Sequence, residues 1–474
     1  MIQKMLTKYG LLFHVACVCL LPVLSVGRTR SFSLVPLLWL SLVAVELMFL
    51  LPSVRRAETL ADARQRVVRM LVWDPFLYIG LAVIGVAAVQ WMNSGCALIY
   101  LPDADIWQMS KPPVPWAPFS VEPRAALSQL SVFTACVAVG LILRVALSKT
   151  AKRLLLQVLA AACGCVALFS VFQASQKVQP YLERTAGLDA SAMGIFFGFW
   201  LLLGMGLFAD MVARDLRGRV LFSVIGIVGN LMGMLFFASA LSVVIYIVLT
   251  ALLFIYWMIY LSPHVSKAAQ LKLFIGSLLV AGAISAALMY LCPQNPVAEK
   301  LKAAWPVTEY WDSLSSIKKV RADTAIGIWQ DHPWVGVGAD GFYHFVGLSV
   351  DSKDWNLIKT DQAYVYNDNF QFLCEYGVLG GGFLLAAVIV LLMPVCYRAR
   401  IAWKNKTGGD DDGRVFILRL SPIVVAGVLA AGVCFLESWI VSPFRSAGLL
   451  LAWTCVMSVM PAFLPSQTHD GARG

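Results

Sequence analysis

Long apolar stretches, separated by short polar ones, run the length of the chain. Those of membrane-spanning length fall at 11–27, 33–52, 73–93, 130–147, 153–173, 191–213, 219–240, 242–261, 271–291, 377–397, 415–436 and 446–464. A bilayer core of about 30 Å is crossed by roughly 20 helical residues. The pattern predicts an all-α polytopic transmembrane bundle of about 12 spans. Two spans meet around 238–242 with almost no connection. In the seventh, Gly229 and Gly233 form a small-xxx-small pair suited to close helix packing.

The polar intervals divide the chain into three parts. Residues 1–291 form an N-terminal membrane bundle of about nine spans, with an outer loop at 93–129. Residues 292–376 form a long extracytoplasmic loop between spans 9 and 10, and 377–474 hold the last three spans. The first loop contains Pro102, Pro112, Pro113, Pro115 and Pro118 beside Trp107 and Trp116, so an irregular, membrane-hugging course is expected. The second is too long for a structureless connection without a function. Helical spacing runs over 314–331, turn chemistry over 333–341, and a helix over 361–376 is expected to lead into the tenth span.

Composition agrees with the pattern. The chain is 59% hydrophobic and 14% charged, against about 25% charged in soluble domains. Mean hydropathy is +0.76. These values exclude a soluble globular domain, a disordered chain and a disulfide-dense secreted module. The formal charge of +10 would suit nucleic acid, but its distribution sets topology instead. With the N-terminus inside, 23 of 37 Lys and Arg fall on the cytoplasmic side and seven in the short outer loops; the other seven lie in the long loop, which the positive-inside rule does not count. Both termini are therefore expected to be cytoplasmic. Lys4 and Lys8 precede an apolar run that lacks a small-residue cleavage site, which predicts an uncleaved first span. The 11 cysteines show no metal-ligand spacing, and most read as packing residues. Cys96 and Cys292 share the outer side, which leaves a disulfide open. Glu46, Asp210 and Arg144 lie near the cytoplasmic ends of their spans, where snorkelling or helix contacts account for them. An ion-coupled transporter would place such charges nearer the midplane.

Candidate chemistry concentrates in the long loop. Arg321 offers a planar fork for phosphate oxygens. The turn that follows, with Gly336, Gly338 and Gly341, offers backbone N–H groups for an anion nest. By composition alone, a surface helix followed by a turn is the plainer account of these residues. The full run, Arg321 followed by Trp329-Gln-Asp331-His332-Pro333-Trp-Val-Gly336-Val-Gly338-Ala-Asp340-Gly341-Phe342, resembles the signature loop of the O-antigen ligase / O-antigen polymerase family. Tyr366-Asn367-Asp368-Asn369-Phe370 through Glu375-Tyr376-Gly377 resembles that family's histidine–asparagine segment. Pro115-Trp116-Ala-Pro118 through Pro123 is similar to the first outer loop of polymerase-like members, and 437–443 to the turn before the last span.

The resemblance implies a glycosyltransferase on the periplasmic face of the bacterial inner membrane. Its donor would be an undecaprenyl-pyrophosphate-linked glycan. Its acceptor would be lipid A core, a growing polysaccharide or a protein. Beyond membrane lipids it implies no other partner, no nucleic acid, no cofactor and no metal. Carried over residue by residue, it gives catalytic roles to Arg321, Tyr366 and Asn367, and substrate contacts to Asp331, His332, Gly336, Gly338 and Arg445. The sequence departs from the family at two places. Tyr366 stands where a histidine is typical, and 237–242 lacks the usual middle-span arginine. His332 and His344 are nearby candidates for the base and Arg445 for the cation, although a loop histidine with no ligand role is the plainer reading of each histidine and an interfacial snorkelling arginine that of Arg445. These departures keep a catalytically silent homologue in view; a transporter or flippase is the third alternative.

Overall fold

The computed structural model describes residues 2–24, 34–52, 58–102, 105–176, 190–214, 220–261, 276, 307–350, 353–358, 364–404 and 420–464. The protein is an all-α membrane protein. Its helices, in chain order, are α1 (Ile2–Leu24), α2 (Val35–Leu50), α3 (Leu60–Val72), α4 (Pro75–Met92), α5 (Pro123–Val145), α6 (Lys149–Ser175), α7 (Ala190–Ala213), α8 (Val220–Phe237), α9 (Ala240–Leu261), α10 (Val307–Asp331), α11 (Gly341–Ser349), α12 (Trp355–Ile358), α13 (Asp368–Lys404), α14 (Pro422–Glu437) and α15 (Ala447–Val459). Among the described residues six helices are long and apolar enough to cross a membrane: α4, α5, α6, α7, α9 and α13. α1, α2, α8, α14 and α15 contribute shorter apolar segments. The stretch expected at 271–291 lies outside the described residues.

Burial orders the bundle. α5 and α7 are enclosed along most of their length, whereas α4, α9 and α13 keep most of their apolar surface outward. On α9 the outward residues are Val244, Ile247, Val248, Leu252, Ile255 and Ile259, a stripe at helical spacing of the kind lipid covers. The interior is filled by Phe197, Phe199, Trp200 and Tyr246. Small residues bring α6 and α8 together: Gly229 meets the backbone of Gly164, and Gly233 meets Ala167 on α6 and Phe197 on α7. The glycine pair acts as its spacing suggests.

Three features differ from expectation. The 93–129 segment is not wholly irregular: an antiparallel hairpin, β1 (Leu98–Leu101) with β2 (Ile106–Met109), turns at Asp105, and α5 begins at Pro123. α3 is an amphipathic helix in a connection for which no element was expected. Thr59 and Asp62 close its first turn reciprocally, a capping box. The helix leading into the tenth apolar stretch begins at Asp368 rather than at 361, and residues 359–363 lie outside the described set.

A second, smaller apolar core ties the long insertion to the bundle. Cys96 and Phe119 from the hairpin segment pack with Ala325 and Ile328 of α10, Val337, Phe342 and Val346 around α11, and Val365 and Cys374 beside α13. Cys96 carries no disulfide among the described residues; Cys292 lies outside them. This core fixes the end of the bundle that bears the insertion, the loop end, and the candidate site is built on it.

Candidate functional site

α13 is interrupted at Gly377, whose φ of 63° and ψ of −168° are not helical. A β-carbon there would lie 2.5 Å from the Trp334 backbone. The freed N–H groups of Val378 and Leu379 donate to the carbonyls of Pro333 and Trp334. The 333–340 turn thereby docks into the break. Gly336 and Gly338 complete the join: Val337 N–H donates to the Cys374 carbonyl at 3.0 Å and Gly338 N–H to the Glu375 carbonyl at 2.8 Å. Gly338 has φ +85°, and a β-carbon on it would collide with the Phe119 carbonyl. The amides expected to form an anion nest are thus taken up by the chain's own carbonyls. Gly336 and Gly338 clamp two segments together.

Arg445 is held at the centre of the clamp. It lies in a 3₁₀ turn (Pro443–Arg445) before α15. One guanidinium nitrogen donates to Glu375 Oε2 at 2.6 Å and the other to Asp340. Asp340 itself adopts a left-handed φ of 56°. All three side chains are buried. Burial opposes the charge of Arg445, but Glu375 and Asp340 outweigh it and hold the guanidinium above its ordinary pKa range. The snorkelling expectation for Arg445 is therefore corrected: it is a buried, doubly paired cation. From Glu375 the network continues through Gln371, whose amide donates to Glu375 Oε1 at 3.0 Å and accepts from Val365 N–H at 3.2 Å. On α4, Gln90 donates to the Glu375 carbonyl at 3.1 Å.

Arg321 lies on the adjoining face of α10. Its side chain is buried, donates from Nη1 to the Tyr364 carbonyl at 2.7 Å, and rests over the Tyr366 ring at 4.6 Å. The Tyr364 ring in turn lies 5.9 Å from the Arg445 guanidinium. The segment 364–366 therefore separates two arginines, with one tyrosine ring on each. Tyr366 is held at φ 57°, a conformation that costs a non-glycine residue about 1–3 kcal/mol and tends to persist at functional sites. Asn367 caps the helix that follows: its Oδ1 accepts from Asn369 and Phe370 N–H, and its Nδ2 donates to the Trp439 carbonyl. Lys318, one turn before Arg321, donates to the Ile440 carbonyl, and burial pushes its ammonium pKa down to about 8. α10, 364–367 and the turn after α14 thus meet at one place.

Other expected residues stand apart. Asp331 is exposed at the far end of α10, ten residues or about 15 Å along the helix from Arg321. His332 is wedged edge-on between Phe119 and Phe345, and burial lowers its pKa. His344 lies 3.7 Å from Glu122. Sequence reasoning did not single out Glu375, Asp340, Gln371, Tyr364 or Lys318 for roles. A carboxylate two residues before Gly377, at the edge of a spanning stretch, was the one signal available. Among the described residues no cluster of His, Cys, Asp and Glu is arranged to hold a metal. No protein-family model matches this chain, and no curated protein matches it either.

Proposed function

We propose that the protein is a membrane glycosyltransferase of the O-antigen ligase / polymerase type. It has about 12 spans, cytoplasmic termini and a periplasmic 292–376 loop in a bacterial inner membrane, and it takes glycan from undecaprenyl pyrophosphate. The observation that carries this proposal is the buried Arg321 guanidinium, stacked on Tyr366 and oriented by the Tyr364 carbonyl, at the join between insertion and bundle. That join is where a donor with its lipid tail in the bilayer and its pyrophosphate at the surface would present its leaving group.

In the transfer, the acceptor hydroxyl oxygen bonds to the anomeric carbon as the bond from that carbon to the pyrophosphate breaks. The acceptor's proton passes to water, and the departing lipid pyrophosphate gains negative charge. A guanidinium already desolvated and fixed in place offsets that charge without reorganising. Arg321 has this role, with Lys318 one turn away as a second cation. Tyr366 holds the guanidinium plane, and its hydroxyl orients the acceptor. Asn367 fixes the helix start that sets Tyr366. Arg445, already paired with two carboxylates, holds the framework; Asp331 and His332 stand apart from the reacting groups.

The test is reconstitution of purified protein in proteoliposomes with an undecaprenyl-pyrophosphate oligosaccharide and acceptor. Transfer supports the proposal. Binding of the donor without turnover supports the silent homologue, which the tyrosine at 366 and the full pairing of Arg445 favour as the second reading. Leaflet exchange of the donor would indicate a flippase.

A further inference from the structure

The hairpin that follows α4 buries little of its own apolar surface. Its register sets Leu98 opposite Met109 and Tyr100 opposite Trp107 on one face, and Ile99 opposite Gln108 on the other. Met109 reaches the second apolar core. Leu98, Ile99, Tyr100 and Trp107 are all exposed, so apolar side chains stand uncovered on both faces. Neither strand carries a charged residue or a proline, the usual guards of an exposed strand edge. A two-stranded hairpin of this kind is at best marginally stable in water.

The root of the hairpin is nevertheless fixed. Cys96 and Phe119 lie in the second core, and Gly95 N–H donates to the Ser120 carbonyl at 3.2 Å. Ala97 and Ser110 close the strands: Ala97 N–H donates to Ser110 Oγ, and Ser110 N–H to the Ala97 carbonyl, both at 2.8 Å. Asn93, the C-cap of α4, holds the turn that follows. Its Oδ1 accepts from Val114 N–H at 2.9 Å and its Nδ2 donates to the Pro118 carbonyl at 3.2 Å. Trp116 on that turn is 83% exposed. Just before Asn93, α4 ends on Trp91 and Met92, also exposed, which continue the outward apolar surface of that spanning helix. Gln90 donates to the Glu375 carbonyl, so this end of α4 is the loop end.

We propose that the hairpin and the Trp116 turn dip into the phospholipid headgroup layer beside α4 and anchor the loop end at that depth. The lipid-facing surface of α4 runs directly into them. Trp91, Tyr100, Trp107 and Trp116 are amphipathic aromatics of the type that collects at membrane–water boundaries. The Tyr100 and Trp107 rings lie 5.2 Å apart, and the Tyr100 hydroxyl donates to the Asp105 carboxylate, which keeps a polar tip on the pair. Each strand of the described sheet has a neighbour on one edge only. Hydrocarbon could not satisfy the free edges, which sets the depth at the headgroups and not in the core. A glycan would cover the rings but leave Leu98 and Ile99 in water. Through Phe119, whose carbonyl lies against Gly338, the anchor fixes the height of the clamped turn above the bilayer. This holds whatever chemistry the candidate site performs.

Spin labelling of the full chain in nanodiscs of phosphatidylcholine and phosphatidylglycerol tests this, in a background without reactive native cysteines. Labels at Ile99→Cys and Trp116→Cys are compared with two references. Leu252→Cys lies on the outward stripe of α9, and Asp331→Cys at the exposed end of α10. The ratio of collisions with oxygen to collisions with a water-soluble nickel chelate reports depth. At both hairpin positions it should lie above the Asp331→Cys value and below that of Leu252→Cys. Replacing Trp107 and Trp116 by Ser should lower the ratio at Ile99→Cys. Should Ile99→Cys disturb its strand, Trp116→Cys, on the turn held by Asn93, carries the comparison. Ratios equal to that of Asp331→Cys at both positions would put the hairpin in water and overturn the proposal. Shielding from both reagents would put protein over the hairpin, and shielding that appears only with added oligosaccharide would make it a glycan surface. Either outcome overturns the lipid assignment.

Discussion

Arg321 and Arg445 each rest against a tyrosine ring, but their partners differ. Arg445 is saturated by Glu375 and Asp340, so removing its charge strands two buried carboxylates. Arg445→Gln should destabilise the protein by roughly 3–5 kcal/mol. Thermal unfolding in detergent would show this as a lowered midpoint, partly restored by Glu375→Gln in the same chain. For Tyr366, Phe keeps the ring beneath Arg321 and removes only the hydroxyl, while Ala removes both. Transfer should fall in both variants at normal membrane abundance, and further in Tyr366→Ala. Unchanged transfer in both would take Tyr366 out of the site. His332 predicts a pH effect. Its pKa is lowered in the folded chain, so the unfolded state binds more protons between that value and about 6.5. The stabilisation is full above pH 6.5 and is lost as pH falls through the folded pKa. His332→Phe should flatten the acid limb of the stability profile. Arg321 was legible in sequence as a cation beside an aromatic, glycine-rich run. The Arg445 triad was not, because Asp340 and Glu375 reach it from 105 and 70 residues away, and spacing carries no signal for such pairs.

At the scale of elements, the insertion is held by backbone geometry as much as by its apolar core. Gly338 combines positive φ with contact against the Phe119 carbonyl, whereas Gly327, inside α10, has open space around its missing side chain. Gly338→Ala should therefore unfold the loop end or lower the melting temperature by several degrees. Gly327→Ala should be neutral or stabilising by up to about 1 kcal/mol, as expected in a helix interior. Equal effects would mean that the turn is not clamped against the hairpin segment. The spanning helices were legible because nearly continuous apolarity over roughly 20 residues has few alternative outcomes. α3 was missed because its arginines mask the apolar face, though the Thr59–Asp62 capping pair was there to be read. The hairpin was missed because its prolines lie in the turn, at Pro102, and beyond β2, outside the four-residue strands.

For the whole molecule, the distribution of basic residues and the position of the site make linked claims. The loop end must face away from the cytoplasm if it is to meet a lipid-linked glycan there. In a background without reactive native cysteines, Ser352→Cys should react with an impermeant thiol reagent in intact cells, and Gly408→Cys should be shielded. Reversed labelling would overturn both the orientation and the outer-face chemistry. The most direct test of the central claim is the rate of glycan transfer by Arg321→Lys in proteoliposomes with purified lipid-linked donor. Lysine keeps the charge but not the planar fork. If Arg321 holds the leaving pyrophosphate, transfer should fall at least about tenfold, a barrier change of about 1.4 kcal/mol, with the fold intact. An exposed surface charge would be nearly indifferent to the exchange. Wild-type transfer rates in the lysine variant would contradict bidentate recognition by Arg321, and wild-type rates in Arg321→Ala would remove the site from the reaction.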